Sequence, residues 1–435
     1  MKNLSPFQVI LLGVFGFFVI FAVLVFSDII PLFKKAPDGV GGEAVIWGTF
    51  PGAYLYEHIE EVNRNANGAW SIKYVEKFAD TFDTELVEAL ASGAGPDAIL
   101  LSHDLIVRHR DKVFSIPYES LSIRQFADSF IQEGELYLIS GGVLALPFSI
   151  DPLVMFWNRD LFSTAGISQP PTAWDEFYTL AADLTKTDNA RNIIQSAVAL
   201  GEWSNVEHAK EILSLLIMQA GSPIIAITDA GLTSVLDQKG EGSTPPTESA
   251  LRFYTEFSNS AKGAYSWNRS LPNSKDMFLA GDLSVYFGFG SEVADIRAKS
   301  PHLNFDIAFI PQIRDDGTKM TYGRMNSLAV LKQSRNPGTA FHVVSLMSGK
   351  DFIQKISHRS ALPPVRRDLL KSVPPGAFES VFYSSALVSR AWLDPNPAQT
   401  EFIFARMVDN VNSGRERLHE AVARASSDIV KLLPQ

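Results

Sequence analysis

The sequence predicts an α/β protein with a mostly parallel sheet, in a chain long enough to form more than one lobe. Three observations carry this: strand–helix alternation from Glu43 onward, a polar break between two apolar runs near residue 150, and a length of 435 residues. Glu43 to Gly48 reads as the first strand and Tyr54 to Asn63 as a helix. Ser71 to Phe78 is a second strand, Thr81 to Ser92 a helix, and Ala98 to Leu101 a third strand. Alternation at this spacing implies a parallel sheet flanked by helices, in which ligands sit beyond the carboxyl ends of the strands.

The break follows. Val143 to Pro147 is a short apolar run, Ser149 to Pro152 interrupts it, and Leu153 to Trp157 is a second strand. Such a pattern is expected where a chain leaves one lobe and enters another. Pro170-Pro171-Thr172 then opens a helix from about Trp174, with Thr172 as N-cap and Asp175 and Glu176 in the first turn, where the helix dipole favours anions. Beyond it, helices are expected at Trp174–Thr185, Val206–Ala220, Thr247–Ser258 and Thr339–Met347, with a terminal helical region over Asp409–Leu433. Strands are expected at Leu283–Phe287, Phe305–Pro311 and Tyr322–Leu331.

Apolar content of 46% and charged content of 20% fit a folded globular protein. A formal net charge of −10, with no basic run, argues against a nucleic-acid partner. With no cysteine there is no disulfide, no Cys-type zinc site and no thiol nucleophile. No His-Glu-x-x-His, Gly-x-Ser-x-Gly or phosphate-loop motif occurs, so no catalytic residue is assigned. His103 and His109 are the only close histidine pair. Without a third ligand they make no metal site, and no cofactor is expected.

Val9 to Phe26 is an uninterrupted apolar run of 18 residues. That approaches the roughly 20 needed to span a bilayer core and exceeds the usual signal-peptide core of about 7–15. No good small-x-small cleavage site follows it. The reading is an N-terminal transmembrane signal anchor over residues 1–33, with a cleaved signal as the alternative. Lys34 to Gly42 is a Pro/Gly-rich linker.

The apolar-Pro run, Asp151, Phe156-Trp157-Asn158-Arg159-Asp160-Leu161-Phe162, Pro170-Pro171-Thr172 and Trp174-Asp175-Glu176 together resemble the family 1 extracellular solute-binding proteins of ABC importers, the group that contains maltose-binding protein. Collinear matches extend from Gly95-Pro96-Asp97 and Ser102-His103-Asp104 through Phe278 to Asp282 and on to Ser413-Gly414-Arg415. The resemblance implies a two-lobed periplasmic-binding-protein fold with discontinuous lobes and a hinge. Lobe one would hold 43–149 with 322–361, and lobe two 152–320 with 365–435. Crossings fall near Ser149–Pro152, Met320–Tyr322 and Leu362–Val365. It also implies an extracytoplasmic body that captures a sugar for a membrane permease.

Within that frame, Asp104 and Asp151 match acidic ligand contacts of the family, and ionised carboxylates can bridge adjacent hydroxyls. Their alternatives are a helix N-cap and a hinge turn. Asp97 reads as structural, in a Gly-Pro-Asp turn. Rings that could stack on sugar faces are Trp47, Phe50, Trp203, Trp267, Phe289 and Trp392, each with core packing as its alternative; Trp174 is expected to pack inward. Thr49, Ser291 and Glu292 add polar groups, and Tyr322 and Arg324 sit at the second crossing, where Arg324 could meet an anionic substrate. Leu101 stands where the family has an aromatic, so the resemblance does not carry the ligand's identity. Two rivals remain. An extracellular glycoside hydrolase would also use paired carboxylates and aromatic platforms, and a sensory ectodomain would use the fold without a transporter.

Overall fold

The structure, a computed structural model, describes residues 39–434 except 230, 241–244 and 315–317. The expected anchor over 1–33 and the first part of the linker lie outside the described residues. Among the described residues no helix is long and apolar enough to cross a membrane.

Strand β1 (Gly42–Gly48) alternates inward Ala44 and Ile46 with outward residues, as a half-buried strand must. It pairs in parallel with β2 (Trp70–Glu76) on one side and β3 (Ala98–Ser102) on the other. Ala98 to Leu101 are all buried, which is why that strand reads as a continuous apolar run. Helices Tyr56–Asn65 and Ala79–Ala91 fill the crossovers.

The expected break near residue 150 is not one. Leu146–Asn158 forms a single 13-residue strand, β4, buried along almost its whole length. Its polar middle is accommodated because Ser149 is bonded by the Asn326 amide and Asp151 accepts a backbone N–H. A register shift opposite Asn326 and Ser327 leaves Phe148 as an extra residue, a bulge at the place where the chain changes lobes. Lobe two adds β5 (Ile193–Val198), β6 (Leu283–Phe289) and β7 (Phe305–Ala308), and β8 (Thr321–Val330) runs back. A two-residue strand β9 (Ser389–Arg390) pairs in parallel with the start of β8.

The hydrogen-bonded order is β2–β1–β3–β8–β4–β6–β5, with β7 also on β4. The parallel expectation holds for β1 to β3 and for β5 with β6. It fails at β4 and β8, which run antiparallel to each other and to β3, β6 and β7 because they carry the chain out of one lobe and back.

Two separate cores show the division. One gathers residues from Ala44 to Ile150 with Met325 to Leu370, and the other residues from Leu153 to Tyr322 with Phe382, Trp392 and Ile403 to Leu433. The expected third crossing at Leu362–Val365 lies later. Val365 accepts from Ile131 N at 2.9 Å and is buried with Leu370 in the first core. The passage is made by helix Ala377–Leu387, whose Phe382 packs on the second core and Ala386 on the first. Thr172 is not an N-cap: Ala173 takes that position, and the Thr172 hydroxyl donates to Glu176.

Candidate functional site

A cavity of about 460 Å³ opens between the lobes, over the carboxyl ends of β1 and β6. Lobe one supplies Thr49, Phe50 and Tyr54 from the loop after β1, with Ser149, Asn326 and the Ser360–Leu362 turn. Gly48 lets β1 approach β3, since a Cβ there would lie 2.7 Å from the Leu100 carbonyl oxygen. The loop is then pinned. The Tyr74 hydroxyl donates to Phe50 O at 2.7 Å, and Gly52 N donates to Glu76 at 2.9 Å. Phe50 sits edge-on to Phe148 at 5.5 Å.

Lobe two supplies Gly290 and Ser291, where β6 ends, together with Arg297, Phe378, Glu379 and Phe382. Asp151 and Arg324 face each other in register on the two crossing strands at the floor. Asp151 is no turn residue: it lies inside β4, and its Oδ1 accepts Ser291 N–H at 3.0 Å. Burial pushes its carboxyl up to about 6 against the bonds from Ser291. The Arg324 guanidinium lies 3.8 Å over the Phe289 ring and donates to Glu211 at 2.5 Å, with His208 Nδ1 at 3.2 Å. Its side chain is still 42% exposed, so donors remain for a ligand. Phe289 is therefore a support beneath Arg324, itself fully buried.

Behind Arg324 the polar groups continue. Asp104 lies in a single helical turn after β3 and caps nothing; its Oδ1 is buried without a partner among the described residues. Trp392 is buried on Phe404, and its indole N–H is likewise unpartnered. Lys210 Nζ reaches Asp394 at 2.7 Å and Thr400 at 2.8 Å, and Trp203 donates to Glu401 at 2.8 Å. Tyr322 is buried with its hydroxyl 3.3 Å from His103 Nε2, and burial lowers the pKa of that imidazole.

The structure thus brings Thr49, Phe50, Asp151, Ser291 and Arg324 together as cavity lining. Asp104, Trp203, Tyr322 and Trp392 are not among the lining residues: Trp203 contacts Glu401, Trp392 lies under Lys210, and Tyr322 contacts His103. Three candidates lie elsewhere. Trp267 is fully buried in the lobe-two core with its indole N–H on Asn205, and Trp47 holds Lys77 over its ring at 3.9 Å, outside the cavity lining. Glu292 is a structural hub that accepts from Phe289 N and the Tyr286 hydroxyl and pairs with His208 and Lys275. Burial opposes its ionisation, but the His208 and Lys275 contacts outweigh that and hold it down to about 2. Asp97 is structural, as expected, binding Val45 N, Ser334 and Arg335 N.

Sequence reasoning missed Glu211, Arg297, Phe378 and Phe382. His208 opens the helix of Glu211 with a left-handed φ of 58°, which no residue pattern signals. Phe378 and Phe382 come from a helix in the unassigned region beyond residue 365. No group of metal-binding side chains occurs among the described residues.

Comparison with known proteins agrees with this geometry. The profile of the family described as bacterial extracellular solute-binding protein matches residues 52–352. A protein of Brucella abortus (strain 2308), described only as a binding protein, is 22% identical over 325 residues, covering 73% of this chain and 74% of its own. Among solved structures, a cyclo/maltodextrin-binding protein complexed with maltotetraose superposes with a TM-score of 0.72 at 14% identity, over 92% of this chain and 98% of its own. The cyclic alpha-maltosyl-1,6-maltose binding protein of Arthrobacter globiformis does so with a TM-score of 0.73 at 17% identity, over 90% and 98%. With two lobes joined by crossing strands, a cavity between them and a family profile spanning most of its length, this chain belongs to the bacterial extracellular solute-binding proteins.

Proposed function

We propose that the body of this protein captures a carbohydrate between its lobes and presents it to an ABC importer. The observation that carries the reading is the interlobe cavity, where aromatic faces (Phe50, Tyr54, Phe378, Phe382) meet hydroxyl, amide, carboxylate and guanidinium groups from both lobes. Sugars have apolar C–H faces and hydroxyl edges, and need both kinds of surface. Several of the similar solved structures carry sugars in their names, maltotetraose and mannotriose among them. A ligand that touches both lobes stabilises their closed arrangement by its differential affinity for it, and no bond is broken.

A thermal-shift screen of the protein against neutral mono- and oligosaccharides, polyols, polyamines and sugar phosphates tests the ligand class. At a hundred times Kd, a ligand stabilises by about 2.7 kcal/mol, a readily measured rise in Tm. A rise with sugars and no other class is the expected result, and a rise with polyamines alone would overturn it. Turnover of a glycan would favour the hydrolase reading instead.

The apolar run Val9–Phe26 motivates the further reading that the body stays tethered to the membrane by an uncleaved N-terminal segment. N-terminal sequencing of the mature protein is expected to find the run intact. A start between Ser27 and Asp38 would sink it.

A further inference from the structure

Glu133 has no role in the cavity, yet it is the most conspicuous buried charge-bearing group in the protein. It lies in the short helical segment Gln132–Tyr137 of lobe one, 1% exposed, with neither carboxyl oxygen partnered among the described residues. Its carboxyl rests on Gly323 of β8: a Cβ at that glycine would lie 2.0 Å from Glu133 Oε2 and 2.7 Å from Ile150 Cδ1. Gly323 is paired with Pro152 of β4, so the group sits against the point where both strands pass between lobes. The nearby cation is turned elsewhere. Arg390, on β9, gives its guanidinium to the Gln132 side chain and to Ser389 O.

The cover over Glu133 comes from the other lobe's side. β9 is paired to Thr321 and Tyr322, and Tyr322 belongs to the second core, as does Trp392 just beyond Arg390. The segment beneath Glu133 belongs to the first core through Ile131 and Tyr137. The Arg390–Gln132 bond therefore bridges the lobes, and rotation about the crossing strands would part Gly323 and Arg390 from the carboxyl and admit water. We propose that Glu133 makes lobe opening proton-linked: the present arrangement keeps its carboxyl neutral, and opening releases that proton.

The surrounding charges support the direction. On its own segment Glu135 and Tyr137 add no cation. On β8, Arg324 is held by Glu211 and Tyr322 by His103, while Asp151 of β4 accepts from Ser291. Arg124 and Asp128, on the helix packed alongside, pair with each other at 3.7 Å, and Arg367 donates to Phe130 O. Burial, opposed only by the field of Arg390, pushes Glu133 up to about 8. A raised carboxyl stabilises the covered state fully below the ordinary glutamate value of about 4.3 and loses that contribution as pH rises toward about 8. Opening is thus favoured by alkali and resisted by acid.

Hydrogen exchange of the full chain without ligand, corrected for intrinsic rate, tests this on the crossing peptides 146–158 and 321–330 between pH 5.5 and 7.5. Opening of these peptides is expected to rise with pH, Glu133 adding up to about tenfold per unit for its one proton, and to rise less steeply in Glu133→Gln, where Asp151 alone of the two carboxyls still titrates. The same slope in variant and wild type, or no slope in wild type, overturns the proposal. Should Glu133→Gln not fold, carbon NMR of labelled glutamate in the wild-type chain reads the group directly. A carboxyl that stays protonated at pH 7 supports it, and one ionised by pH 5 overturns it.

Discussion

At the residue scale, the site turns on which polar groups are already committed and which are free. Asp151 shows both: one oxygen holds Ser291 N, and the carboxyl lines the cavity. Its folded pKa of about 6 lies above the ordinary aspartate value, so the stability it contributes is complete below about pH 4 and is lost as pH rises through about 6. Asparagine cannot ionise. At pH 8, Asp151→Asn is therefore expected to melt higher than wild type while binding its ligand about ten- to a hundredfold more weakly, as loss of a charged hydrogen bond of about 1.5–3 kcal/mol implies. Calorimetry and thermal melts on the same samples decide it. Unchanged affinity would remove Asp151 from the site. Arg324 behaves differently, because Glu211 and the Phe289 ring fix its plane before any ligand arrives.

At the element scale, the two crossing strands and the loop after β1 build the cleft. Gly48 ends β1 just before that loop, with Leu100 O and Leu100 Cβ at 2.7 and 2.8 Å from any added Cβ. Gly48→Ala is expected to cost about 1–3 kcal/mol, because backbone must move to admit the methyl group. Urea denaturation should show the midpoint falling with little change in slope. Elements of this kind were the most legible part of the sequence. Strands Ala98–Ser102 and Leu283–Phe289 are signalled by apolar runs that end in turn residues, and Thr49, Phe50 and Ser291 follow from lying just beyond strand ends. What misled was polarity inside a strand. Ser149 and Asp151 read as a break because a sequence cannot show that Asn326 and Ser291, far along the chain, satisfy them. The same limit hid Glu211, whose role exists only because β8 brings Arg324 beside it, and left Trp267 indistinguishable from a ligand-facing ring until Asn205 was seen to hold it in the core.

At the scale of the whole molecule, two cores are joined by β4, β8 and the helix Ala377–Leu387, and Leu232 and Leu393 pack against both. Few residues need change φ and ψ for the lobes to rotate as bodies about these connections. The proposed function requires that a ligand be bound by enclosure between the lobes. Small-angle scattering of the protein, free and with a saturating sugar of proven affinity, tests that most directly. The radius of gyration is expected to fall on binding. A sugar that binds tightly and leaves it unchanged would contradict capture between the lobes.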